Sequence, residues 1–154
     1  MDFQIEIIDL NNPKYEQILE IRKRVFIAEQ KVPEELEIAD EEESIFYLAT
    51  LDKVAVATGR YRKKGDRYFK IERVATLPDF RGRGFGKRLM LAMLNDIVTN
   101  HGTSVVPFLN SQDSAVEFYQ KLGFYIVGDE FFEAGIKHFK MLYLAHFQRE
   151  LTSL

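Results

Sequence analysis

Apolar and polar residues alternate from Phe3 to Ile8, which sets Phe3, Ile5 and Ile7 on one face of a half-buried strand. Asn12-Pro13 then reads as an N-cap followed by proline at the first helical position, and Ile18, Ile21 and Val25 continue one apolar stripe to about Gln30. After an acidic segment containing Pro33, Ile45 to Thr50 and Val54 to Tyr61 read as two strands joined by a turn at Asp52-Lys53. Gly65-Asp66 supplies the next turn, into a third strand from about Arg67 to Thr76, so this half of the chain reads as an antiparallel meander.

The period then changes. The strand ending near Thr76 passes through Leu77-Pro78-Asp79-Phe80 and Arg81-Gly82-Arg83-Gly84-Phe85-Gly86 into a long apolar helix, Lys87 to about Asn100, stopped at His101-Gly102. A strand at Ser104 to Leu109 follows, then a helix from near Asp113 whose Ala115, Phe118, Tyr119 and Leu122 share one face before Gly123. Two strands, about Phe124 to Val127 and Lys137 to Ala145, come last. With no repeat, low-complexity tract or linker, residues 1–154 read as one α/β domain with a mixed sheet.

Composition narrows the function classes. A 46% hydrophobic fraction is too high for a disordered regulator, which could not offset the entropy of ordering. The absence of cysteine removes disulfides, thiol nucleophiles and thiolate metal sites, and fits a reducing compartment. No apolar run approaches the roughly 20 residues of a membrane span, and Met1-Asp2-Phe3-Gln4 lacks a signal peptide's basic start, so the expectation is a cytoplasmic protein with no membrane partner. The net charge of -3 argues against a nucleic-acid binder using the Arg60 to Arg73 cluster. That total hides an asymmetry: seven of the ten residues from Glu34 to Glu43 are acidic, whereas Arg60 to Arg88 is rich in arginine and lysine. One part suits cations and the other an anion, unless both are ordinary solvated faces. His101, His138 and His146 show no ligand spacing, so no metal is expected.

Glycines at alternate positions between strand and helix let backbone N–H groups converge on a ligand. An anion is the natural occupant, since the helix N-terminus is partially positive and Arg81, Arg83, Lys87 and Arg88 add full charges. A Walker loop is disfavoured because Gly86-Lys87 is followed by Arg88, leaving no hydroxyl for magnesium. The dinucleotide fingerprint fits poorly too, since Gly82, Gly84 and Gly86 fall at relative positions 1, 3 and 5 instead of 1, 3 and 6.

Together these residues resemble the GNAT superfamily of acyl-coenzyme-A-dependent N-acetyltransferases. Arg81, Gly84 and Gly86 match its signature Gln/Arg-x-x-Gly-x-Gly/Ala, and Ala115-Val116-Glu117-Phe118-Tyr119-Gln120-Lys121-Leu122-Gly123-Phe124 is similar to its second signature. Arg22-x-x-Val25-Phe26-x-x-Glu29-Gln30 and Glu133-Ala134-Gly135-Ile136-Lys137-His138 resemble the ElaA-like subgroup. The chain departs from the family in carrying Gln112, with Asn110 two positions earlier, where many members have asparagine. It departs from the subgroup in lacking a histidine at Ser44-Ile45-Phe46.

The resemblance implies a GNAT-like single domain, with a central mixed, mostly antiparallel twisted sheet of about seven strands flanked by helices. It also implies acetyl-CoA as co-substrate. Backbone N–H groups across Arg81, Gly82, Arg83, Gly84, Phe85, Gly86 and Lys87 would hold the pyrophosphate, Val74, Ala75 and Thr76 would pair with the pantetheine arm, and Gln112 joins this cofactor-binding set. Tyr119 matches the tyrosine that protonates the departing thiolate, and Glu72 and His138 are the candidate bases, with Glu133 their rival. Glu29, Gln30, Glu133 and His138 fall in acceptor-side blocks, and a cationic primary amine drawn to Glu29, Glu35 and Glu37 is the expected acceptor. Direct attack by the amine needs no protein nucleophile. The contrasting reading is a non-catalytic acyl-CoA-binding or protein-interaction module on the same scaffold. Phe139, Leu142 and Tyr143 on the last strand offer a surface for a homodimer.

Overall fold

The computed structural model describes residues 1–33 and 38–144. Glu35, Glu37, Ala145 and His146, which the sequence reading used, lie outside the described residues. The fold is α/β, with a seven-stranded mixed sheet in the order β1-β2-β3-β4-β5-β7-β6, flanked by helices. The chain divides into two compact units, one of Met1–Arg62 with Glu72–Met93, the other of Lys63–Ile71 with the described residues from Leu94 on.

In the first unit β1 (Phe3–Ile8) pairs antiparallel with β2 (Ile45–Leu51), and β2 with β3 (Val54–Lys63). The β2–β3 connection is the two-residue turn expected at Asp52-Lys53, and both residues have positive φ (49° and 71°), the conformation that matches the twist of a tight hairpin. β1 departs from the simple alternation: Ile7 is exposed and Ile8 is buried. Both faces of this strand are used, since Phe3 stacks on Phe85 (4.8 Å) whereas Ile8 joins Ile18, Ile21, Val25, Phe46, Leu48, Ala75 and Leu77 in one apolar cluster.

Helix α1 (Tyr15–Arg22) supplies that cluster with the expected stripe. Its entry turn is held by the Asn12 side chain, which accepts the Lys14 N–H (2.9 Å). The expected single helix to Gln30 instead passes into a π-helix, Lys23–Glu29. The Gln30 N–H donates to the Val25 carbonyl five residues back, and Val32 N–H then reaches Phe26 (2.8 Å), turning the chain before Pro33.

β4 (Tyr68–Thr76) and helix α2 (Phe85–His101) contribute to both units. α2 fully buries Leu89, Met90, Met93 and Ile97, each worth about 1.5–3 kcal/mol relative to exposure. Gly59 on β3 makes room for Met93, whose Cε lies 2.8 Å from where a Cβ would stand.

In the second unit β4 runs parallel to β5 (Val106–Gln112) over Tyr68–Lys70 and Val106–Phe108. Helix α3 (Val116–Leu122) ends at Gly123, whose φ of 108° closes the helix as expected. β6 (Tyr125–Glu133) is longer than the sequence reading, because Gly128 (φ 76°) forms an irregularity within the strand instead of ending it. Ala134-Gly135, both at positive φ, return the chain into β7 (Ile136–Leu142), which pairs antiparallel with β6 and β5.

Candidate active site

Beyond Thr76 the chain makes a short 3₁₀ turn, Pro78–Phe80, and an exposed loop whose Gly82 and Gly84 have φ of 75° and 83°. A Cβ at either glycine would meet nothing within 4 Å, so backbone conformation and not crowding is what requires glycine there. The first helical bond runs from Arg88 N–H to the Gly84 carbonyl (3.1 Å), which leaves the N–H groups of Phe85, Gly86 and Lys87 ahead of the ladder. These N–H groups lie at the partially positive end of a 17-residue helix, over the stretch where the sequence leads one to expect an anion. The Phe85 side chain is buried, so only its backbone is available to a ligand. Arg83 lies over Phe80 and Phe85, and Arg88 over Phe3, while Lys87 is exposed.

The Arg81 guanidinium is held by protein groups. Its Nε donates to the Thr76 carbonyl (2.9 Å), and Nη1 and Nη2 donate to the two Glu29 carboxylate oxygens (2.9 and 2.7 Å). Arg81 keeps Glu29 below the usual carboxylate range, and Glu29 pushes Arg81 upward. Two side chains assigned separately to cofactor and acceptor are thus each other's partner. Gln30, which follows Glu29, is half-buried.

On β4, Ala75 packs in the apolar cluster while Val74 and Thr76 are half-buried. Arg73 has φ of 55°, a left-handed residue inside a strand. No sequence signal announces it. The register with β5 extends only to Lys70, so Val74–Thr76 lie beyond it.

The Glu72 side chain is only 7% exposed and is bonded to two arginines: its Oε1 accepts from Arg62 Nε (2.7 Å) and Arg60 Nη2 (3.2 Å). Arg60 also bonds Glu41, which accepts from Arg22 (3.0 Å) and from the Tyr15 hydroxyl. Arg62 reaches Asp40 (3.2 Å) and Glu43 (3.3 Å). Asp40, Glu41 and Glu43 of the acidic run are therefore counter-charges to Arg60 and Arg62 of the basic run, and this much of the two runs does not form separate faces for a cation and an anion. Arg60 Nε is buried with no hydrogen-bond partner among the described residues. The sequence signal was Arg60 and Arg62 on the same side of an otherwise apolar strand, where buried charge requires partners.

In the second unit Tyr119 packs edge-on against Phe118 (5.0 Å) and Phe124 (5.8 Å). Burial pushes its phenol up, so the hydroxyl keeps its proton. Among the described residues none hydrogen-bonds this hydroxyl. Gln112 and His138 face each other across the β5–β7 register, and Phe131 stacks on the imidazole (5.6 Å). His138 Nδ1 lies 2.7 Å from the Ile136 carbonyl, a contact that places the proton on Nδ1 and the lone pair on Nε2. Nε2 lies 3.8 Å from the exposed Glu133 carboxylate. Among the described residues no group of three or more His, Asp or Glu could hold a metal, and no helix is long and apolar enough to cross a membrane.

Residues 9–145 match the family model of the acetyltransferase (GNAT) domain. A Bacillus subtilis relative, the uncharacterized N-acetyltransferase YjcF, is 33% identical over 138 residues, covering 88% of this chain and 96% of its own. The solved structure of Escherichia coli ElaA superposes with a TM-score of 0.77 at 25% identity, covering 92% of this chain and 98% of that one. An aminoglycoside 6′-N-acetyltransferase complexed with coenzyme A has the same fold, with a TM-score of 0.73 at 19% identity over 92% of this chain and 97% of that one.

Proposed function

The chain belongs to the GNAT acetyltransferase family, and from that premise we propose that it transfers an acetyl group from acetyl-CoA directly to a primary amine of a small molecule or peptide. The observation that carries this reading is the exposed loop with left-handed Gly82 and Gly84, which opens a 17-residue helix with N–H groups ahead of its ladder. It fits a pyrophosphate, and the similarly folded aminoglycoside acetyltransferase was solved with coenzyme A. Backbone N–H groups from Gly82 to Lys87 hold the phosphates, the Arg81 N–H that was expected to join them being donated to the Pro78 carbonyl (3.3 Å), and the side chains of Lys87 and Arg88 add charge. Val74, Ala75 and Thr76 present strand backbone to the pantetheine arm. Acetyl-CoA supplies the activated thioester; the protein supplies position and proton transfer.

Tyr119 donates the proton to the departing thiolate, a task suited to a phenol that burial keeps protonated. His138 is assigned as the base. Its Nδ1 contact leaves Nε2 to accept the ammonium proton, and Glu133 beside it stabilises the resulting imidazolium. Glu72 is the weaker candidate, because its oxygens already accept from Arg60 and Arg62. With Glu29 committed to Arg81, the exposed Glu133 becomes the acceptor-side carboxylate that meets a cationic amine. With no cysteine in the chain, direct transfer without an acyl-cysteine is the simpler route.

The test is steady-state thiol release from acetyl-CoA over a panel of primary amines, with the acetylated product identified by mass spectrometry. Amine-dependent release with a matching product supports the reading. Coenzyme A binding without turnover on any amine would favour the non-catalytic module instead.

A further inference from the structure

Arginine carries five N–H donors on a planar fork, and bidentate recognition of a phosphate uses one edge of that fork. In Arg81 the end-on edge is taken by Glu29, with Nη1 at 2.9 Å and Nη2 at 2.7 Å from the two carboxylate oxygens. The remaining edge is blocked as well, because Nε donates to the Thr76 carbonyl at 2.9 Å. Arg81 therefore cannot grip a phosphate bidentately without leaving Glu29. What the residue does instead is join three places in the first unit: the last residue of β4, the start of the glycine loop, and the last residue of the π-helix. Glu29 and Arg81 are 52 positions apart, and the π-helical turn ends on the residue that makes the contact.

Resting on the acetyltransferase reading, we infer that Glu29 and Arg81 are a positioning pair: Glu29 seats Arg81, and Arg81 holds the loop backbone in its phosphate-binding conformation, while the same bonds anchor the acceptor-side segment that ends in Glu29 and Gln30. Neither side chain contacts the reacting atoms. The pair is a device for assembling cofactor loop and acceptor segment together, so losing either partner affects both ligands.

Magnitudes make this testable. The two side chains are 43% and 41% exposed, and a screened pair of this kind is worth about 1 kcal/mol at most, a roughly fivefold change in affinity. A direct guanidinium–phosphate bond would be worth about 1.5–3 kcal/mol, or roughly 10- to 100-fold. Isothermal titration of coenzyme A into the full chain, Glu29→Gln, Arg81→Gln and the double variant separates the two. The positioning pair requires each single variant to weaken binding by about two- to fivefold, and the double variant to bind no worse than the weaker single. KM for the amine rises in both single variants while kcat stays within about twofold. The proposal is overturned if Arg81→Gln loses about tenfold or more while Glu29→Gln binds as wild type or tighter, the signature of a direct phosphate ligand freed from a competing carboxylate. Unchanged affinity in all variants overturns it equally, as would a fall in kcat with both KM values unmoved. Thermal melts of the variants check that the fold persists, and Glu29→Asp, which can re-form the ion pair, should recover most of the lost affinity. Wild-type protein that fails to bind coenzyme A would remove the acetyltransferase reading itself, and the pair's role with it.

Discussion

Replacing Glu41 with glutamine withdraws the counter-charge shared by Arg22 and Arg60, two guanidiniums whose side chains are each 1% exposed. Glu41 accepts from Arg22 at 3.0 Å, from Arg60 and from the Tyr15 hydroxyl, and Arg60 Nε has no hydrogen-bond partner among the described residues. Breaking a buried pair from one side costs about 3–5 kcal/mol, because the remaining charge stays desolvated. Glutamine keeps one acceptor oxygen, so the expected loss is near the lower end, about 3 kcal/mol, which corresponds to roughly 6–12 °C in Tm for a chain of this size. Glu43→Gln is the matched control: it too meets an arginine, Arg62, but its side chain is 63% exposed, and its removal should cost less than about 1 kcal/mol. Urea unfolding followed by far-ultraviolet circular dichroism suits a chain without tryptophan. A Glu41→Gln loss below about 1 kcal/mol, or one matched by Glu43→Gln, would refute the claim that Glu41 is the keystone of a buried charge cluster.

Tyr119→Phe should lower kcat by about 100-fold or more with coenzyme A affinity unchanged, measured by thiol release and titration calorimetry. Because burial raises the phenol above its ordinary value near 10, its stabilising effect is complete below about pH 10 and is lost as pH climbs through the raised value; Tyr119→Phe should therefore flatten the alkaline decline in stability seen by thermal melts. Gly84→Ala forces a side chain into φ of 83° at a cost of about 1–2 kcal/mol and should weaken coenzyme A binding roughly tenfold, even though the Cβ itself meets no neighbour. His138→Gln should reduce kcat about 100-fold while coenzyme A binding stays within twofold; equal turnover would return the base role to Glu72.

What the sequence made legible was local. Gly82, Gly84 and Gly123 adopt the positive φ that made them readable as turn and cap, and the i, i+3, i+7 spacing of Ile18, Ile21 and Val25 is the stripe that packs against Phe46 and Leu48. Charge partnerships were not legible, because they join residues far apart in the chain: Glu41 lies 19 positions from both Arg22 and Arg60, and Glu29 lies 52 from Arg81. A count of signs showed acidic and basic runs but could not show that they neutralise one another. Backbone irregularities were hidden for a different reason. The π-helix at Lys23–Glu29 and the left-handed Arg73 lie in stretches without the glycine or proline that would flag a departure. Gly128 carries such a flag, just past the Val127 at which the strand is expected to end, and a glycine within a strand marks a bulge.

Single-turnover mass spectrometry of the full chain with acetyl-CoA, with and without a competent primary amine, tests direct transfer most plainly. The account predicts that the acetyl group leaves coenzyme A only when the amine is present, appears on the amine in equal amount, and never adds to the protein's mass. An acetylated protein formed before the product, or thiol release with no acetylated amine, would contradict it.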